Sequence, residues 1–380
     1  MTKLFDRFLE NPGEVSCGEG ADAEACAQAD GSAGAPPVRL TPADHAWITG
    51  AVETAAGPVP VVATHLVRAD RLGTILARLS INRMSYSVRP GLYAVGGPDP
   101  GSPVFVTGNY KMSFDHLRKA LAGRDGWILV LDTRGINVWC AAGKGTFGTD
   151  EIVRRVEAAG LSRVVTHRKL FLPQLGAPGV AAHEVAKRTG FRVVYGPVRA
   201  DDLAAFLDAA SKAAPGMRLA RFRFKDRIIL TPVELVMVFT NKAFLAAMVV
   251  WAVGFLGVRA LMFSLPALLG AILVGAVVVP ALLPWIPVRA FSLKGWLLGL
   301  LWTAGFLAVR GLPATASVWL WAASYLLILP ALSAFIAMGF TGSSPITSLS
   351  GVVQEMKTAV PLMILAACLG AAASIAAFVI

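Results

Sequence analysis

Cysteine is scarce in this chain. Cys17, Cys26, Cys140 and Cys368 are the four in 380 residues, too few and too scattered for a disulfide framework. The spacing of Cys17 and Cys26 fits no zinc or iron–sulfur pattern. The opening MTKLFDRFLENPGE carries acids and lacks an apolar h-region, so it does not read as a signal peptide. A reducing cytoplasm is therefore expected around the N-terminal half, where a lone thiol can act as ligand or nucleophile. Charge is nearly missing from the last third. From Ala243 to Ile380 only Arg259, Arg289, Lys294, Arg310, Glu355 and Lys357 carry it. The net charge of +11 comes with no aromatic–basic interleaving and no known nucleic-acid module, so no nucleic-acid partner is expected.

What is present divides the chain. Residues 1–40 read as a disordered Ala/Gly-rich tail, because Gly18–Pro37 has no apolar period with which to bury a core. Residues 41–220 read as a soluble α/β domain. Strands are expected at Val59–Ala63, Val104–Val106, Trp127–Leu131, Arg163–Val165 and Arg192–Val194. Helices are expected at Arg68–Arg83, Ser113–Ala122, Asp150–Ala159, Gly179–Thr189 and Asp201–Ala214, with Gly123, Gly160 and Gly190 placed as C-cap glycines. Such alternation predicts a mostly parallel sheet covered on both faces, with ligands at the carboxyl ends of its strands.

Residues 221–242 form a basic linker, and 243–380 read as an all-α transmembrane domain of about five helices, in apolar runs 243–258, 260–283, 295–309, 315–338 and 360–380. Six charges over this whole stretch leave no polar outer face for a soluble helical domain. Lys and Arg set the orientation. With the N-terminal domain inside, cytoplasmic flanks hold Arg221, Arg223, Lys225, Arg227, Lys242, Arg289, Lys294 and Lys357, against Arg259 and Arg310 outside. The expected location is the cytoplasmic membrane, multi-pass.

The most informative stretch is Trp127–Asp150. A buried strand ends near Leu131, a polar turn follows, and Asn137 is suited to cap a helix. Cys140 then falls in the first turn, where unpaired N–H groups and the dipole favour a thiolate. Lys144 lies four residues on, on the same face, as a thiolate partner or a solvated charge. Several readings stand at this point. Cys140 can be a nucleophile with His116, His167 or His183 as base, though no spacing selects one. It can equally be a small buried core residue. A phosphate loop through Gly143-Lys144 fails, because Val138 and Gly145 stand where that signature needs Gly and Ser/Thr.

The run Asn137-Val138-Trp139-Cys140-Ala141-Ala142-Gly143-Lys144 resembles the cap-helix motif of the mercury-methylating corrinoid protein family. The segments Val106–Asp115, Leu172–Val180 and Tyr195–Ala200 resemble stretches shared with the related corrinoid iron–sulfur methyl carriers. The loop from Phe340 to Met356 resembles the mercury family's stretch before its last span. Those soluble carriers begin with a four-cysteine cluster domain, whereas this chain has only Cys17 and Cys26 there and carries apolar spans.

The resemblance implies a Rossmann-like corrinoid-binding domain and a corrinoid-dependent methyltransferase. Cys140 would be the lower axial ligand to the cobalt of a cobalamin-type cofactor, passing methyl to Hg(II) as its thiolate complex. A soft sulfur ligand would push electron density towards cobalt and ease departure of a methyl carbanion equivalent. Reduction and remethylation would then require a ferredoxin-like iron–sulfur donor and a methylated folate or methyltransferase. Asn137, Val138, Trp139, Ala141, Ala142, Gly143 and Lys144 would form the cap around Cys140, Thr107 and Ser113 would meet the corrin face, and Gln174, Ala177, Gly179 and Arg199 would line the tail-side pocket. Each has a plainer reading: Trp139 as core, Thr107 and Ser113 as turn and helix caps, Arg199 as surface charge. Two other functions stay open, a membrane-tethered methyl carrier of one-carbon (acetyl-CoA) metabolism and a corrinoid-binding transporter or sensor. Pro266, Pro280, Pro330 and Pro361 within the runs favour transport, and the lack of mid-span ionisable residues opposes it.

Overall fold

The computed structural model describes residues 46–242, 244–245, 258–311, 315–343 and 349–379. The tail with Cys17 and Cys26, nearly all of the first apolar run, and residues 344–348 of the Phe340–Met356 loop lie outside the described residues. The chain divides into two compact units, one reaching Ala77 and resuming at Asn82–Leu219, the other comprising Arg78–Ile81 and Ala220–Ile380.

The first unit is α/β. Its strands are β1 (Ile48–Thr54), β2 (Gly57–Val62), β3 (Gly91–Val95), β4 (Val104–Gly108), β5 (Gly126–Leu131), β6 (Lys169–Leu172) and β7 (Arg192–Tyr195). Its helices are α1 (Arg68–Arg78), α2 (Lys111–Ala120), α3 (Val138–Gly143), α4 (Thr149–Ala158), α5 (Leu161–Val164), α6 (Ala182–Thr189) and α7 (Leu203–Asp208), with a 3₁₀ turn at Gln174–Gly179. The sheet order is β1-β2-β3-β5-β4-β6-β7. Pairs β2/β3, β4/β5, β4/β6 and β6/β7 are parallel, while β1/β2 and β3/β5 are antiparallel.

Strands β4 and β5 are buried along their whole length, and their side chains alternate between two cores. Val104, Val106, Leu129 and Leu131 pack with Val138, Ala141, Ile152 and Val185 from α3, α4 and α6. Phe105, Ile128 and Val130 pack with Phe114 of α2 and with Leu203 and Phe206 of α7. Both faces are therefore covered, as the alternating sequence pattern predicts. Gly123, Gly160 and Gly190 have φ of 75°, 55° and 76°, the left-handed geometry expected where a helix stops.

Several expected elements differ. Arg163–Val165 is not a strand: its first two residues lie in α5, a single turn that begins directly after the left-handed Gly160. The edge-side strand is instead β6, four residues further on, which pairs with both β4 and β7. Strands β1 and β3 add the antiparallel part of the sheet. Helix α1 stops at Arg78 rather than Arg83, and Ser80 and Asn82, both with positive φ, lie in the turn beyond it. Two of the broad helices shrink. Only Ala182–Thr189 is α-helical in the 179–189 stretch, and 201–214 holds a 3₁₀ turn (Ala200–Asp202) and the six-residue α7.

The second unit is all-helical. After α8 (Phe224–Ile228) and α9 (Thr231–Thr240), which occupy the basic stretch, come α10 (Val258–Leu273), a π turn (Val274–Val278), α11 (Val279–Leu282), α12 (Phe291–Arg310), α13 (Ala316–Gly339) and α14 (Leu349–Val379). Among the described residues, four helical segments are long and apolar enough to cross a membrane: Ser264–Leu282, Phe291–Arg310, Ala316–Gly339 and Gly351–Ala377. Glycine lets α12 and α13 approach closely. A Cβ on Gly299 would lie 2.8 Å from the Ser333 side chain and 2.9 Å from Pro330 Cα, the small-residue packing used between apolar helices. Polar side chains here bond backbone, as in Ser333 Oγ to Ala271 O at 2.8 Å and Thr303 Oγ1 to Gly299 O at 2.8 Å.

Candidate functional site

Strands β4, β5, β6 and β7 all run the same way, so their carboxyl ends share one edge of the sheet. From β4 the chain builds outward to β5, then crosses back so that β6 lies on the other side of β4. This reversal between β4 and β6 is the place where open α/β sheets leave a crevice for ligand. The segments leaving the four strands carry Ser113, Asn137–Lys144, Gln174–Gly179 and Arg199, and Thr107 is the next-to-last residue of β4 itself. The topology thus brings the sequence-predicted residues to one edge.

Helix α3 follows β5 there. Asn137 has extended backbone, and its side-chain oxygen accepts a hydrogen bond from Cys140 N at 2.9 Å, the cap expected from sequence. Cys140 is the third residue of the helix, half-buried and not in a disulfide. The helix has two distinct sides. Val138, Ala141 and Ala142 are buried in the core under the sheet edge. Asn137 and Trp139 are half-buried, and Gly143 and Lys144 are exposed. Of the eight residues in the cap run, the fold therefore uses three as an apolar keel and leaves five at or near the surface.

The 3₁₀ turn Gln174–Gly179 lies directly against α3. A Cβ on Gly179 would meet Phe147 O and sit 3.0 Å from Ala142 Cα; one on Gly176 would sit 3.0 Å from Phe147 Cδ1. Neither position has room for a side chain, which fixes how close this loop comes to the cysteine helix. Gln174 N donates to Pro197 O at 3.5 Å, linking the loops after β6 and β7, and Arg218 holds the Gln174 side-chain oxygen at 3.1 Å. Ala177 is half-buried in the same turn, and Arg199, also half-buried, lies 3.7 Å from Asp201.

Sequence reasoning passed over the residue that organises the approach to α3. Asn109, directly after β4, is buried, and its Oδ1 accepts from Thr133 N (3.0 Å), Thr133 Oγ1 (2.9 Å) and Gly135 N (2.9 Å). Its Nδ2 donates to Asp132 Oδ1 at 3.2 Å. The turn between β5 and α3 is thus held by one amide. Gly135, at φ 70°, passes so near that a Cβ would be 2.7 Å from Met84 O. A polar residue between a strand-ending glycine and a helix start was the available signal.

Thr107 was expected on a loop at the corrin face. It is instead a strand residue, buried, paired with Val130 in the β4/β5 ladder, while Ser113 is the half-buried third residue of α2. Nor does a histidine stand out as a base. His167 lies at the opposite, amino-terminal edge, with Nε2 2.8 Å from Ser102 O and Nδ1 accepting from Lys169 N. His116 and His183 are exposed on helix surfaces.

Beneath α2 sits a closed set of four charges. Lys111 Nζ lies 2.8 Å from Asp70 and 2.6 Å from Asp115, and Arg118 bonds the same two carboxylates at 2.7 Å each. All four side chains are buried. Burial by itself would raise the Asp70 carboxyl, but Lys111 and Arg118 outweigh it and hold the group below its ordinary range. This network ties α1 to α2 behind the site.

Residues 79–207 match the family described as the CO dehydrogenase/acetyl-CoA synthase delta subunit. The acetyl-CoA decarbonylase/synthase complex subunit gamma of Archaeoglobus fulgidus is 32% identical over 140 residues, covering 36% of this chain and 29% of that protein. The corresponding subunit of Methanopyrus kandleri is 33% identical over 128 residues, covering 33% of this chain and 27% of its own. Subunit gamma 2 of Methanosarcina thermophila is 32% identical over 120 residues, with 30% and 25% covered. The chain thus spans less than a third of the length of these curated relatives. The family match takes in every sequence-predicted site residue and stops before the helical unit.

Proposed function

We propose that this chain is a membrane-tethered corrinoid protein that takes part in methyl transfer, with Cys140 as the residue that would hold the cobalt. The observation that carries this reading is the placement of Cys140. It is a half-exposed sulfur in the first turn of an Asn137-capped helix, beside the crevice where the sheet reverses. The fit to a flat macrocycle is supported by the open space at the end of α3, where nothing beyond the local backbone lies within 4 Å of a Cβ built at Gly143 or, two residues on, at Gly145. A metal already held by a macrocycle needs one protein donor, and Cys140 supplies a soft anionic one.

A bound corrin would supply the cobalt that carries and releases the methyl group. The chain's own residues orient and support that chemistry. Asn137 fixes the helix from which the sulfur projects, and Val138, Ala141 and Ala142 seat it on the core. Trp139 precedes Cys140 in the helix, and Lys144 follows one turn on, its backbone N–H donating to Cys140 O at 3.0 Å. Gln174, Ala177, Gly179 and Arg199 would meet the group from the β6–β7 side, with Ser113, and beneath it the strand residue Thr107, on the β4 side. Cys140, if it held the cobalt, would supply a soft electron-donating sulfur to it. With only four cysteines in the chain, electrons for the metal would come from a separate iron–sulfur protein. A methylated folate, or a methyltransferase using one, would supply the methyl group. The four long apolar helices would anchor the protein in the cytoplasmic membrane, α/β unit inward.

The acceptor has two readings. The similarity to acetyl-CoA decarbonylase/synthase gamma subunits favours a carrier of one-carbon metabolism. The resemblance of Asn137–Lys144 to the cap helix of mercury methylation favours Hg(II). Deleting the gene separates them: disturbed acetyl-CoA synthesis with intact methylmercury formation selects the first, and the reverse selects the second. The ligand assignment is tested by absorption spectra of cobalamin-loaded protein. A sulfur-to-cobalt band is expected in wild type and not in Cys140→Ala, and an imidazole or water ligand in wild type overturns the reading.

A further inference from the structure

The helical unit carries a buried cation whose Nε the described residues leave without a hydrogen bond. Arg227, on α8, is 4% exposed, yet its Nε finds no hydrogen-bond partner among the described residues. Its guanidinium instead lies 5.8 Å from the ring centroids of Phe224 and of Trp285. A buried polar donor is ordinarily hydrogen-bonded, so this Nε stands out, with ring faces beside it in place of an acceptor. The nearest acid in sequence, Asp226, is engaged elsewhere, accepting from Arg223 N at 3.0 Å as it caps α8.

The surroundings indicate what completes it. Trp285 and Phe224 are exposed at 68% and 52%, unusual for large aromatic residues. Trp285 lies three residues beyond the end of the candidate span Ser264–Leu282, in the connection to the span that begins at Phe291. That is the depth at which tryptophan settles between hydrocarbon and water. Arg223, Lys225 and Arg289 are exposed on α8 and on the same connection. Exposed aromatic bodies, exposed cations and a guanidinium with an unpaired Nε together match a lipid surface with negative headgroups.

We propose that this face binds the headgroup of an anionic phospholipid. The phosphate is received by Arg223, Lys225 and Arg289, and reaches Arg227 as the exposed Trp285 ring moves aside. The proposal rests on the membrane reading above and adds to it a lipid class and a site.

The test uses the full chain reconstituted in vesicles of brominated phosphatidylglycerol or of brominated phosphatidylcholine. The tryptophan fluorescence lost in Trp285→Phe reports this position. The Trp285 signal is expected to be quenched several-fold more steeply by the anionic brominated lipid. Arg223→Gln and Lys225→Gln should each reduce that preference by about fivefold at low salt. The lipid preference is read from wild type and the conservative Trp285→Phe alone, so an arginine or lysine variant that fails to fold leaves that comparison intact. Equal quenching of Trp285 by the two lipids, with the other tryptophans quenched as well, overturns the lipid site while the membrane reading stands. Absence of quenching at every tryptophan by either lipid overturns both.

Discussion

Replacing Asn109 with alanine should cost more than any other single amide in the α/β unit. Its Oδ1 accepts three buried hydrogen bonds, from Thr133 N, Thr133 Oγ1 and Gly135 N. Alanine removes the acceptor and leaves two backbone N–H groups without one. Each orphaned buried donor costs about 1–3 kcal/mol. The hydroxyl of Thr133 keeps a second partner, Ile136 O at 2.7 Å, and so adds little. The sum is about 3–4 kcal/mol once part of the turn relaxes. At about 2–4 °C per kcal/mol for a unit of this size, the unfolding midpoint should fall by roughly 6–16 °C. Thermal unfolding of the purified full chain, followed by circular dichroism of the α/β unit, measures it. Because the released turn leads into α3, alkylation of Cys140 should also speed up below the transition. A loss under about 1 kcal/mol, or an unchanged alkylation rate, would refute the view that this amide holds the turn.

Further perturbations test separate links. Asn137→Ala should lower stability by about 1 kcal/mol through loss of the cap on Cys140 N, with Asn137→Ser restoring most of it in denaturant titrations. Gly179→Ala places a methyl against Phe147 O and Ala142 Cα, so corrinoid affinity in equilibrium titration should fall at least tenfold as the turn is pushed off α3. Arg118→Met strands Asp70 and Asp115 with one cation between them, and should cost about 3–5 kcal/mol in urea unfolding. Asp70 is held below its ordinary value of 3.8, so it binds protons more readily unfolded than folded. Its contribution is therefore full above that value and fades as pH falls through it, and Asp70→Asn should flatten this part of the stability profile measured between pH 6 and pH 3.

Local chemistry was legible in the sequence, and long-range pairing was not. The Asn137 cap involves atoms three residues apart, and β4 and β5 are uninterrupted apolar runs between turn signals, so both were readable. Arg163–Val165 looked like a strand because two valines follow a charge, but the left-handed Gly160 starts a helical turn there. β6 has only four residues, and its place in the sheet is decided by β4, more than 60 residues earlier. Asn109 acts on residues 24 and 26 positions away. Lys111, Asp115 and Arg118 have the spacing of a solvated helix face. What makes them a buried network is Asp70, 41 and 48 residues away from its two partners.

A six-residue helix cannot hold its own shape in water, where isolated helices need about 12–15 residues. The direction of the Cys140 side chain is therefore set from outside α3. The cap ties down its first turn, the apolar keel seats its underside, and Gly179 lets the next loop lie flush along it. Among the described residues Gly143 and Lys144 are exposed, so the helix is fixed below and open above. A buried structural cysteine would need the first property alone, and a surface cysteine neither. A ligand that must meet a large planar group at a set height needs both, which is why the assignment to Cys140 rests on how its helix is held rather than on the thiol itself.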